Sequence, residues 1–201
     1  MADGYRRVVI TGEILARAEE RARSLPIHDY SHRAYEANLV GSIGEIVFEM
    51  FLEHHKVSYR DDTWSTERDY VVADQFSVDV KTKDRTVYPR LDYDNSVPIY
   101  NHEHQQPDYY YFVSLVRDPR LPPADARRFT VACLVGAIDQ ERLQQRATRW
   151  EAGQTDPRNG TKFWTACLNV EMEQLLSNAE MIALFKGPAA GEACAGNFSD
   201  S

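Results

Sequence analysis

The sequence predicts an α/β domain with a central mixed β-sheet flanked by helices. Segments of helical periodicity alternate with short runs of β-forming residues, a pattern that neither an all-helical nor an all-β domain produces. Two of those runs, 109–116 and 129–138, are almost continuously apolar and aromatic, as strands covered on both faces are. Size agrees, because 201 residues at 43% hydrophobic content fill one core and are too few for two comfortable ones. Residues 1–186 are read as that single domain, and 187–201, small and polar, as a flexible tail.

Thr11 is placed to cap a helix reaching about Leu25, with Ile14, Leu15, Ala18, Ala22 and Leu25 on one stripe and Pro26 ending it. Asn38 is placed to cap a second helix, along which Ile43, Val47, Met50 and Phe51 recur until His54, His55 and Lys56 supply a cationic end. After a polar passage, 60–68, the runs 70–73 and 76–82 read as a hairpin joined by Asp74 and Gln75. Prolines and polar residues make 83–107 a loop region with at most one short helix. The runs 109–116 and 129–138 are central strands. Residues 139–150 then read as an amphipathic helix, 155–161 as a turn and 162–170 as a late strand. A final helix covers 171–185 through Met172, Leu175, Leu176, Met181 and Leu184.

No apolar run approaches the roughly 20 residues that cross a bilayer, and residues 1–10 lack the apolar stretch of a secretory signal. A cytoplasmic protein without a membrane partner is expected. Cys133, Cys167 and Cys194 are far apart and form no Cys-x-x-Cys pair, so they read as buried thiols. His102 and His104 flank Glu103, but a third ligand of comparable quality is missing and zinc is not indicated. A net charge of -8 repels phosphate. Lys81, Lys83, Arg85 and Arg90 form one local basic stretch and Arg120, Arg127 and Arg128 another; each is either a phosphate-binding face or a solvated one.

Chemistry concentrates on the hairpin. Side chains alternate along a strand, so in Phe76-Ser77-Val78-Asp79-Val80-Lys81 the residues Phe76, Val78 and Val80 share one face while Ser77, Asp79 and Lys81 share the other. Asp79 and Lys81 then stand roughly 6.5 to 7 Å apart on one side, close enough for a carboxylate-bound cation and an ammonium to address one phosphate. The hairpin returns Asp69 towards them. Two carboxylates and a strand carbonyl form a plausible oxygen shell for Mg²⁺, which keeps several of its waters. Glu45, on the second helix, is positioned to join them. Gly41 and Gly44 beside it cost the helix about 1 kcal/mol each, a cost that close approach to the sheet or substrate would explain.

Gly41-Ser42-Ile43-Gly44-Glu45, then Asp69, then Asp79-Val80-Lys81 resembles the PD-(D/E)xK superfamily of restriction-endonuclease-like nucleases, over about residues 38–116. Arg68 stands where that motif has proline, and the helix expected after the lysine strand is not evident in 83–107. The resemblance implies a restriction-endonuclease-like core. It also implies that Asp69, Asp79, Glu45 and the Val80 carbonyl hold one or two divalent ions, Mg²⁺ with Mn²⁺ able to replace it, and that Lys81 assists the attacking water. Lys83, Arg85, Gln105 and Gln106 are candidate substrate contacts. The implied activity is phosphodiester hydrolysis, in DNA before RNA and endonucleolytic before exonucleolytic. A homodimer would serve double-strand cutting, and a basic partner protein could deliver an acidic chain to nucleic acid. The alternative is an inactive nuclease fold serving as a nucleic-acid-binding or protein-interaction module.

Overall fold

The computed structural model describes residues 4–25, 35–64, 67–99 and 106–187. Thr11 caps helix α1 (Gly12–Ser24), its hydroxyl accepting from the Ile14 N–H at 3.4 Å, and Ile14, Leu15, Ala18 and Ala22 form the buried stripe. Such a cap contributes about 1 kcal/mol. Helix α2 begins earlier than its sequence suggests: it spans Tyr35–His54, so Asn38 lies inside it and is not its cap. Its buried face, from Leu39 and Val40 through Ile43, Ile46, Val47 and Phe48 to Phe51 and Leu52, is wide enough to lie across the middle of a sheet.

Nine strands occur among the described residues: β1 (Arg6–Val9), β2 (Tyr59–Asp61), β3 (Tyr70–Val72), β4 (Phe76–Arg85), β5 (Asp94–Pro98), β6 (Tyr109–Arg117), β7 (Phe129–Asp139), β8 (Thr148–Trp150) and β9 (Cys167–Glu171). Six of them make a mixed sheet in the order β1-β7-β6-β4-β3-β2. Within it β4 and β6 run parallel and the other pairs antiparallel. The aromatic run of β6 and the apolar run of β7 are interior strands, as expected; Tyr110 to Val116 are all buried. Helices α1 and α2, with α4 (Asn178–Lys186), share a core with one face of this sheet. The smaller sheet β5-β9-β8 and helix α3 (Gln140–Arg146) share a second core with the other face. The architecture is a mixed α/β one, three layers deep.

Several elements differ from their sequence expectation, each through a tertiary contact. Strand β1 pairs with β7, and β5 forms inside the expected loop region because β9 supplies its ladder. The expected helix 139–150 stops at Arg146, and Thr148–Trp150 becomes β8 on the other edge of β9. The expected helix 171–185 is broken: a 3-10 turn at Met172–Gln174 ends it, Leu176 bridges to Ala137, and Ser177 caps α4 in a reciprocal pair with Glu180. Gly136 permits that bridge, since a Cβ there would lie 2.3 Å from the Leu176 carbonyl oxygen. The hairpin turn is centred on Ala73 and Asp74, both at φ 53°, one residue earlier than expected. Among the described residues no helix is long and apolar enough to cross a membrane. Cys133 and Cys167 are buried free thiols; Cys194, like all but the first residue of the 187–201 tail, lies outside the described residues.

Candidate metal and catalytic site

Strand β4 continues past the start of β3, and the site lies where that pairing ends. Tyr70 faces Val78 in the ladder, and the Asp69 N–H donates to the Val78 carbonyl at 3.1 Å. One residue pair further, no β3 backbone is left to meet Val80. The Asp69 side chain takes its place, its Oδ2 accepting the Val80 N–H at 2.7 Å. In an antiparallel ladder one residue's N–H and C=O point to the same edge, so the Val80 carbonyl points towards Asp69 as well.

Asp79 is 1% exposed and projects from the face opposite Val78 and Val80. The Lys81 ammonium lies 2.8 Å from Asp79 Oδ2, but off the direction of a hydrogen bond, and among the described residues that oxygen accepts none. The ion pair is therefore one of charge, with a buried lone pair left over. Tyr110, opposite Asp79 on β6, offers its ring to the Lys81 ammonium at 5.9 Å and receives a weak bond from the Gln140 amide at 3.4 Å. Burial pushes the Tyr110 hydroxyl up to about 12, and the charge of Asp79 adds to the rise.

Glu45 reaches the cluster from α2, which Gly44 allows to lie against β4. A Cβ at Gly44 would stand 1.9 Å from Thr82 Oγ1, so this glycine serves the helix–sheet contact and not a substrate. Gly41 meets only Glu45 Oε1, at 3.7 Å from its notional Cβ. Burial, with the charges of Asp61 and Glu49, pushes Glu45 up to about 7 against the pull of Arg21. Burial also holds Asp69 well above the usual carboxylate range, and the neighbouring Asp79 and Glu45 charges raise it further. Lys81 and the Val80 N–H oppose that rise. The charges of Asp79 and Glu45 thus both act on Asp69, an arrangement a cation relieves.

The sequence alone did not reveal the cation already present. Arg21 of α1 reaches Glu45 at 3.3 Å, Glu49 at 2.7 Å and the Tyr70 hydroxyl at 3.3 Å, and Asp61 lies 3.6 Å away. Tyr70 in turn donates to Glu49 at 2.9 Å. Arg21 falls on the polar side of an ordinary amphipathic helix, where an arginine usually signals solvent; only the Glu45-x-x-x-Glu49 pair on the otherwise apolar α2 hints that a counter-ion is needed.

The remaining candidates are dispersed. Lys83 is half-buried, makes no hydrogen bond or ion pair with the described residues, and is depressed to about 8 by burial and by Arg85. Arg85 turns into the junction of the two sheets, bonding to Ser114 and the Asp94 carbonyl. Gln106 is exposed before β6; Gln105, with His102 and His104, lies outside the described residues. The basic stretches are largely neutralised in pairs: Arg90 with Asp92, Arg120 with Asp118, Arg127 with Asp125 and Arg128 with Glu36. Among the described residues, no three His, Cys, Asp or Glu side chains stand as a ready metal-binding group. The sequence matches no protein-family model and no curated relative.

Proposed function

We propose that this chain is a divalent-metal-dependent nuclease with a restriction-endonuclease-like core, hydrolysing phosphodiester bonds in DNA. The observation that carries the reading is Asp79, a buried carboxylate with an oxygen that accepts no hydrogen bond, standing beside Lys81 and across from Asp69. The Lys81 ammonium at 2.8 Å compensates the charge of that oxygen without a directed hydrogen bond, which leaves a lone pair open to a cation. Asp69, Asp79, Glu45 and the Val80 carbonyl are the oxygens that would hold Mg²⁺ or Mn²⁺, both of which favour such donors. A bound ion supplies a water of lowered pKa and neutralises charge at the attacked phosphate.

The chain's own residues do the rest. Lys81 is held with its ammonium beside Asp79 and over the Tyr110 ring, a position from which it would orient the attacking water and balance phosphate charge. Asp69 keeps the end of the β3–β4 ladder closed through one oxygen, and its other oxygen would be the one to meet the ion. Lys83, next along the same strand face, serves a flanking phosphate. A second reading, a binding or assembly module without turnover, is favoured by the neutralised basic stretches and by the -8 charge.

Incubation with supercoiled, linear and single-stranded DNA and with RNA, in Mg²⁺ or Mn²⁺, separates the two. Metal-dependent cleavage should appear with wild type and fall at least about 100-fold in Asp79→Ala and Lys81→Ala, the loss typical of removing one charge-stabilising group. Cleavage of nothing, or cleavage by both variants at the wild-type rate, sinks the nuclease reading.

A further inference from the structure

Glu45 and Glu49 lie one helical turn apart on α2, and one guanidinium serves both. Arg21 Nη1 meets Glu45 Oε2 at 3.3 Å and Tyr70 Oη at 3.3 Å, while Nη2 meets Glu49 Oε1 at 2.7 Å. The Tyr70 hydroxyl closes the ring through Glu49 at 2.9 Å. Both anchors are rigid: Tyr70 is fully buried and Glu49 is 3% exposed. The guanidinium is thereby fixed in position and in plane. Among the described residues only Oε2 of Glu45 accepts a hydrogen bond; Oε1 lies beside Gly41, where the missing side chain leaves it room.

We infer that Arg21 is a positioning residue, locked by Glu49 and Tyr70, that grips one oxygen of Glu45 so that the other faces the Asp69–Asp79 cluster. The inference rests on the metal-dependent reading above. A purely architectural role explains the arrangement less well. Buried ion pairs are seldom more stable than apolar side chains of the same volume. Glu49 already meets Arg17 at 3.2 Å through its other oxygen and accepts from the Tyr70 hydroxyl, so what Arg21 adds beyond neutralising Glu49 is its hold on Glu45. Arginine suits the task where lysine does not, since its planar fork can bind two carboxylates in fixed directions.

Two substitutions that preserve charge test this: Arg21→Lys removes the fork, and Tyr70→Phe removes one anchor. Mn²⁺ affinity would be measured by titration calorimetry, cleavage by kcat and KM separately, and folding by thermal melting in EDTA. In R21K the Mn²⁺ dissociation constant should rise about tenfold, as losing a ligand's outer partner does, and kcat should fall with KM for DNA unchanged. Y70F should move both in the same direction by less. Lower melting temperatures with Mn²⁺ affinity unchanged in both variants would overturn the inference, leaving a merely structural Arg21. If R21K does not fold, Y70F alone decides on the same criterion. Asp79→Asn is the reference. Mn²⁺ binding absent from wild type, or equal in D79N, removes the metal-dependent reading and this inference with it, whereas binding lost in D79N but untouched in R21K and Y70F overturns the inference alone.

Discussion

Asp69 and Glu45 are half-buried acids whose protonation the fold favours, and this fixes the sign of a pH effect. Both have folded-state values above their ordinary ones, Glu45 at about 7. A group raised in this way contributes stability that is complete below its unfolded value and is lost as pH rises through its folded value. Metal-free protein should therefore melt lower at pH 8 than at pH 5.5, and Glu45→Gln, which is neutral throughout, should flatten that slope. Asp118, drawn down to about 2 by Arg120, contributes the opposite dependence only at far lower pH, while His55, lowered by burial and by His54, opposes the two acids within that range. Melting curves in EDTA across pH 5–8.5 check this, and a stability that climbs steadily with pH would contradict it. At this scale much was legible beforehand. The grouping of Asp69, Asp79 and Lys81 followed from hairpin spacing and strand alternation, because alternation is a local property of the backbone; Glu45 was added from the glycines beside it and from the motif resemblance. Arg21, Glu49 and Tyr70 were not, since their meeting depends on how α1, α2 and β3 pack.

Helix α2 carries the contest between propensity and packing. Replacing a helix-interior glycine by alanine gains about 1 kcal/mol, while overpacking a filled interface costs typically 1–3 kcal/mol. At Gly44 the added carbon would stand 1.9 Å from Thr82 Oγ1 and 3.0 Å from its Cβ, so overpacking wins and Gly44→Ala should destabilise. At Gly41 the nearest atom is 3.7 Å away, an ordinary contact, so Gly41→Ala should be neutral or stabilising by up to about 1 kcal/mol. Thr82→Ala should rescue part of the Gly44→Ala loss. Urea titrations of the three variants give the comparison, and equal stabilities of the Gly41 and Gly44 variants would refute it. Elements with strong internal periodicity or caps, such as α1 with Thr11 and the interior strand β6, were readable from sequence. Those that exist only as partners, β1, β5 and β8, were not, because a short polar strand has no local signature without the strand that completes its ladder.

Across the whole molecule, charge pairing outweighs charge count. The cations that the sequence groups into basic stretches are mostly matched to acids two or so residues away or across a short gap, which leaves few to release counter-ions from a duplex. Binding of a labelled duplex in Ca²⁺ should weaken with salt with a log–log slope no steeper than about -3, since each neutralised phosphate contributes about -0.9. A slope near -8, measured by fluorescence anisotropy, would reveal a broad cationic face and contradict this reading. A weak, shallow dependence fits a chain that relies on its metal, or on a basic partner, for affinity.

By itself the sequence determined the class of fold, the interior strands and the acids and lysine of the hairpin, all of which follow from periodicity within a few residues. The tertiary structure decided the three-layer arrangement, the break that lets Leu176 meet Ala137, and the Arg21 clamp on Glu45. These are contacts between segments remote in the chain, whose energies appear only once the backbone has brought them within reach.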